Sequence, residues 1–167
     1  YGAANQGYSA TFVFIDAKWH GLAQTRQRFF LVLHQVKINW RAPMFNEPLS
    51  GFDAIKNVET TCYPRGAWST SKNKIWRLII KSARPGETCA KTYDWLFGSD
   101  HPKNSRGQAL GRFARSARRL GLDGPANAIV SPWLIHPVEP RQLYVEEFAM
   151  LTGFPPTFLW KEGSKIV

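Results

Sequence analysis

Two strand-forming runs near the start of the chain constrain its fold more than anything else in it. Residues 8–16, YSATFVFID, and 28–36, RFFLVLHQV, are dense in aromatic and β-branched residues, which suit a pleated surface. The eleven residues AKWHGLAQTRQ separate them. A parallel crossover needs a dozen or more residues, usually with a helix, so the runs are predicted to be antiparallel neighbours. The second run is almost continuously apolar, which predicts burial on both faces.

The remaining elements are read from caps and periodicity. NEPLSGFDAIKNV (46–58) predicts a short helix with Pro48 near its start and an Asn or Ser cap. KIWRLIIK (74–81) reads as a strand, and ARPGET (83–88) as a Pro-Gly turn. RGQALGRFARSARRLG (106–121) reads as a helix. Leu110, Phe113, Ala114 and Ala117 form its apolar side and Arg112, Arg115 and Arg119 its basic side, with Gly111 counting against it. HPVEPRQLYVEEFAMLTGFPPTF (136–158) predicts a turn, a helix from about 144 to 152, and a Gly-Phe-Pro stop. The class is α/β, without internal repeats.

A chain of 167 residues makes one domain or slightly more. Its net charge of +10 points to an anionic partner, nucleic acid before anionic membrane. The charge is concentrated: residues 1–122 hold 19 basic and 7 acidic side chains, whereas 123–167 hold 3 and 5. No acid lies between His101 and Leu122. Lys103, Arg106, Arg112, Arg115, Arg118 and Arg119 in that stretch are therefore expected to contact phosphates. A solvated helix face is the alternative. No apolar run reaches membrane-spanning length.

Cys62 and Cys89 lack zinc-type spacing and read as free thiols in a reducing cytoplasm. His20, His34, His101 and His136 are too scattered for a metal site, and His136, before Pro137, reads as a structural hydrogen-bonder. Trp68 and Trp76 are expected in the core, with base stacking as the alternative. The chain starts at Tyr1 and reads from the outset as mid-protein, so a fragment is expected.

The stretch GLAQTRQRFFLVL (21–33) carries the sharpest chemical signal. Strand alternation puts Arg26 and Arg28 on one face, with Gln24 beside them if the strand starts early. Two like charges on one face repel unless an anion lies nearby. The planar fork of arginine suits phosphate oxygens or the carbonyl edge of a base. A solvated strand entrance is the competing reading.

FIDAKWHGLAQTRQRFFLVL resembles the eighth conserved motif of the DNA cytosine-5 methyltransferases, where Gln-x-Arg-x-Arg opens a hydrophobic strand. HPVEPRQLYVEEFAMLTGFP resembles the ninth motif of that family through Arg141, Leu143, Glu147, Ala149, Leu151, Gly153, Phe154 and Pro155. RRLGLDGPANAI resembles the Arg-Leu, Pro-Ala stretch that often precedes it. The order also agrees, with a basic variable insert between the motifs. The chain departs from the family at Tyr144, Glu146, Met150 and Thr152, usually Thr, Arg, Arg and Gln, and at Ala23, usually Pro.

The resemblance implies a fold and a division of labour. Residues 1–40 would be the terminal antiparallel strand pair of a Rossmann-like methyltransferase sheet. Residues 41–130 would be a small irregular α+β target-recognition domain that binds duplex DNA, and 131–167 would return to the catalytic domain. Arg28, Arg26 and Gln24 would belong to the base pocket. The family transfers methyl from S-adenosylmethionine to carbon 5 of cytosine, often in restriction-modification, after a cysteine thiolate adds at carbon 6. That cysteine follows a proline, which neither Cys62 nor Cys89 does. The Glu-Asn-Val acid, the glycine-rich cofactor site and the final Gly-Asn motif are missing too. This chain alone is expected to be an inactive carboxy-terminal part, cytoplasmic and prokaryotic or phage-like, whose further partner would be an amino-terminal catalytic half or subunit. The alternatives are the specificity subunit of a split enzyme or a relic and, more remotely, a basic RNA-binding domain.

Overall fold

The computed structural model describes residues 7–39, 44–60, 74–100, 102–103, 117–129, 134–155 and 157–158. Strand β1 (Ser9–Asp16) and strand β2 (Gln27–His34) pair antiparallel, with Phe12 opposite Leu31, Phe14 opposite Phe29 and Ile15 opposite Arg28. A 3-10 turn, Ala17–His20, fills most of the link and ends at Gly21 in the left-handed conformation. The expected pairing is therefore present, but the expected burial is not. Phe12, Phe14, Phe29 and Leu31 are each more than half exposed. The reason is architectural: the sheet has two strands, and nothing in the described residues covers the part of it that carries these side chains.

Helix α1 (Gly51–Ile55) falls inside the expected span. Ser50 caps it, accepting from Asp53 N at 3.3 Å and donating to Leu122 O at 2.8 Å. Residues 74–82, whose first eight were read as a strand, are instead helix α2 (Lys74–Ser82). The helical period brings Ile75, Trp76, Ile79, Ile80 and Ala83 to one side, where they pack with Tyr93 of helix α3 (Cys89–Phe97). A short apolar run without strict alternation fits either period, and here the packing surface of α3 decides. Trp76, expected in the core, is half-buried against its edge, and Trp68 lies outside the described residues.

The helix expected over 106–121 is contradicted where it can be judged. Residues 106–116, with Arg106, Arg112 and Arg115, lie outside the described residues. Strand β3 (Arg118–Arg119) pairs parallel with strand β4 (Leu134–Ile135). The backbone there is committed to neighbouring strands: Arg119 N donates to Glu87 O, and Leu120 N to Ile135 O. This small sheet divides two cores. Leu120 and Leu134 face one, with Ile55, Leu143, Phe148 and Leu151. Ala117 and Ile135 face the other, with Ile79, Ile80 and Tyr93.

Helix α4 (Val145–Thr152) matches its expected span closely. Gly153 (φ 87°) ends it, donating to Ala149 O and Met150 O. An added Cβ at Gly153 would meet the Cδ2 methyl of Leu22. Glycine is therefore favoured there by the left-handed turn, and Leu22 packs directly against it.

Candidate active site

The loop between β1 and β2 is built around Asp16, which is buried at the end of β1. Its Oδ1 accepts from Lys18 N at 3.4 Å and Arg26 N at 3.1 Å, and its Oδ2 accepts from Gln27 Nε2 at 3.3 Å. Ala17 N donates to Arg26 O, closing the loop base. One carboxylate therefore pins both ends of the segment that presents the arginines. Asp16 was missed among the candidates, although an aspartate between a strand and a Gly-containing loop is a capping signal.

The three sequence candidates separate. β2 begins at Gln27, so residues 24–26 are loop and strand alternation does not govern them. Arg28 is exposed, and its Nη1 donates to Gln27 O at 2.7 Å. Arg26 is half-buried. Gln24 is 0% exposed, so it does not stand beside the arginines on an open face. Its segment is clasped by residue 126: Thr25 N donates to Ala126 O at 2.7 Å and Ala126 N to Ala23 O at 2.8 Å. Among the described residues, neither amide atom of Gln24 has a hydrogen-bond partner.

Two distant segments thus converge on the loop. Ala126 of the Pro-Ala stretch bonds its backbone on one side, and Leu22 seats against Gly153 of the Gly-Phe-Pro stop on the other. The stop is itself held rigidly. Arg141 grips Glu147 through two hydrogen bonds, Nη1 to Oε2 at 2.8 Å and Nη2 to Oε1 at 2.9 Å. Glu147 also accepts from Tyr144 N at 2.7 Å, capping α4, while the Arg141 guanidinium lies 4.2 Å from the centre of the Tyr144 ring. Arg141 Nε reaches Glu139 Oε2 at 2.8 Å, which holds the Glu139 carboxyl below its ordinary range.

His136 lies beneath this network as the structural hydrogen-bonder expected. Its Nδ1 accepts from Glu139 N at 3.0 Å and Val138 N at 3.3 Å, which assigns its proton to Nε2. Nε2 lies 3.8 Å from Glu147 Oε1. Burial, then the Arg141 charge, lower the His136 pKa, with Glu147 and Glu139 opposing and Arg119 adding to the depression. Because the unfolded chain protonates near pH 6.5 and the folded chain lower, His136 stabilises the fold fully above that value and loses this contribution as pH falls below it. His136→Asn, which can keep an acceptor for the two backbone donors, is expected to flatten that part of the stability profile. Denaturation midpoints between about pH 7.5 and 5.5 test it. An unchanged slope would show that His136 does not carry the dependence.

Arg119 is corrected from a phosphate contact to an internal tie. It is 6% exposed, and its guanidinium donates to Ala83 O at 2.6 Å, His136 O at 3.1 Å and Glu139 O at 3.1 Å. It joins the end of α2 to the turn before α4. Arg118 is half-buried in β3, and Lys103 is exposed. Cys89 is a buried free thiol pushed up to about 12 by burial, against the Arg119 charge, and it is therefore a poor nucleophile. Cys62 lies outside the described residues. Glu146 and Met150, two of the departures, line a cavity of about 420 Å³ between α1 and α4 with Glu59, Val58 and Phe158.

With this geometry in place, the comparisons identify the class. The chain matches the C-5 cytosine-specific DNA methylase family over residues 3–165, and it belongs to that family. Among solved structures it is similar to a protein described as a DNA modification methyltransferase encoded within a prophage (E. coli). The TM-score is 0.53 and the identity 18%, over 91% of this chain. The chain spans 52% of that protein's length. No protein with a curated description matches the chain. No described helix is long and apolar enough to cross a membrane.

Proposed function

We propose that this chain is the carboxy-terminal, DNA-recognising part of a cytosine-5 methyltransferase, and that it acts with an amino-terminal half carrying the nucleophile and the cofactor site. The observation that carries this reading is the convergence of Leu22 on Gly153 and of residues 23–25 on Ala126. These contacts join the Gln-x-Arg-x-Arg loop to the segments that follow the basic insert. The open apolar faces of β1 and β2 support it further. A ribbon with phenylalanines exposed on it is suited to joining a larger, helix-covered Rossmann-like sheet.

In this reading Arg28 faces the carbonyl edge of the flipped cytosine, replacing hydrogen bonds lost when the base leaves the stack. Its charge also stabilises negative charge developing on the ring as a thiolate adds at carbon 6. Arg26 and Gln24 hold the loop, Gln24 from inside. S-adenosylmethionine would supply the methyl group. At Gly21, Gly51 and Gly153 an added Cβ would meet Phe45, Ala126 and Leu22, so none of these three glycines offers a cradle for a close-lying cofactor.

The test is methyl transfer from labelled S-adenosylmethionine to duplex DNA, with the chain alone and combined with an amino-terminal half that supplies the Pro-Cys nucleophile. Label at carbon 5 of cytosine is expected only from the combination. Label from the chain alone, or none from the folded combination, contradicts the reading.

A further inference from the structure

Helix α2 gathers on one face positive charge that a strand would spread over two. Between Glu59 and Glu87 the sequence has no acid for 27 residues, a longer acid-free run than 101–122, and it holds six basic residues, Arg65, Lys72, Lys74, Arg77, Lys81 and Arg84. As a strand, residues 74–81 would scatter their charges over both faces. As a helix, Lys74, Arg77 and Lys81 fall at three- and four-residue spacings and share one face.

That face is open. Lys74, Arg77 and Lys81 are all exposed, whereas Ile79 and Ile80 on the opposite side are buried in the α2–α3 core. No described carboxylate forms an ion pair with any of the three. Lys91 and Lys56, by contrast, are each paired to an acid at 2.7 Å. Leu78, 45% exposed, sits within the same face. Three unpaired cations along about 10 Å of helix repel one another. They are consistent with a surface shaped for a polyanion.

We propose that the solvent face of α2, through Lys74, Arg77 and Lys81, is the principal phosphate-contacting surface of this chain for duplex DNA. The proposal rests on the reading of the chain as the DNA-recognising part of a methyltransferase. It deepens that reading by assigning the contact to a particular helix. Ridged, rigid and anchored by Arg119 through Ala83 O at its end, α2 would present the three charges in a fixed row. Duplex DNA fits this better than a membrane surface, because the only apolar side chain on the face is the single half-exposed Leu78.

The experiment measures binding of the full chain to a labelled 20-base-pair duplex over a range of salt concentrations. A Lys74→Ala, Arg77→Ala, Lys81→Ala triple variant is expected to reduce the log–log salt slope by about 2.7, at about 0.9 per phosphate contact. Lys91→Ala and Lys56→Ala should leave it unchanged. A glutamine series at the same three positions, with melting temperatures for both sets, separates lost contacts from lost folding. A triple variant that folds and keeps the parental slope overturns the proposal while leaving the methyltransferase reading intact. A parent chain that binds no duplex, or binds anionic vesicles with the larger α2 dependence, also overturns it. A reduced slope together with no methyl transfer by the combined enzyme would sustain the α2 surface and refute the methyltransferase reading.

Discussion

Arg141→Ala is expected to destabilise the chain by about 3–5 kcal/mol, the cost of breaking a buried ion pair from one side. Both partners are well buried, with side-chain exposures of 15% and 3% for Arg141 and Glu147. The pair is bidentate, so two charge-assisted hydrogen bonds go together. The Glu147 carboxylate would then be left in the core with the Tyr144 backbone N–H as its remaining close donor. The turn through Glu139 would lose its grip as well, because Arg141 Nε and Nη2 both reach that carboxylate. Replacing both members, Arg141→Met with Glu147→Leu, should be milder than Arg141→Ala, since no buried charge is stranded, although the α4 cap is lost. Urea unfolding of the parent and of these two variants measures this. A loss under about 1 kcal/mol for Arg141→Ala would mean that the pair behaves as a solvent-screened surface bridge.

How much of this molecule could be read from its residues depended on how local the deciding contacts are. The β1–β2 hairpin, the Ser50 cap and the glycine stop after α4 were legible because each rests on a short run of residues and its own backbone. KIWRLIIK was misread because its apolar residues fit two periods, and the surface that selects the helix comes from Tyr93 and Ala117, far along the chain. Arg119 was misassigned by the same route. Spacing from Arg112 and Arg115 put it on a helix face, whereas pairing with residues 87 and 135 makes it a strand residue turned inward.

The site divides in the same way. The arginine loop and the Gly-Phe-Pro stop were each visible as motifs, and Arg141 and Glu147 stood among the matching positions. Their meeting was not visible. The seat of Leu22 on Gly153 spans 131 positions of sequence and involves an ordinary leucine. The bridge from Ala126 to residues 23 and 25 uses backbone atoms alone, which carry no residue-type signal. Gln24 would stand beside the arginines only if the strand started early; β2 begins at Gln27, and Gln24 is buried instead.

Arg28 is the residue on which the proposed base pocket depends most directly. It is exposed at the start of β2, next to a loop held by Asp16 and Ala126, and its Nη1 donates to the neighbouring carbonyl of Gln27. A side chain so placed contributes little to stability, so substitutions should stay within about 0.5 kcal/mol. Loss of its fork from a base pocket should be far larger in rate, about 10²–10³-fold for Arg28→Ala, the range for removing one donor that stabilises developing charge. Arg28→Lys keeps the charge but not the planar geometry, so it should also turn over slowly. The most direct measurement is single-turnover methylation of duplex DNA by the enzyme restored with its amino-terminal half, alongside the melting temperature, for the parent, Arg28→Lys and Arg28→Ala. Unchanged melting temperatures are expected, with methylation slowed in both variants, alanine more than lysine. Parental methylation rates in both variants, or failure of both to fold, would contradict the base-pocket reading and make the arginine pair a strand entrance.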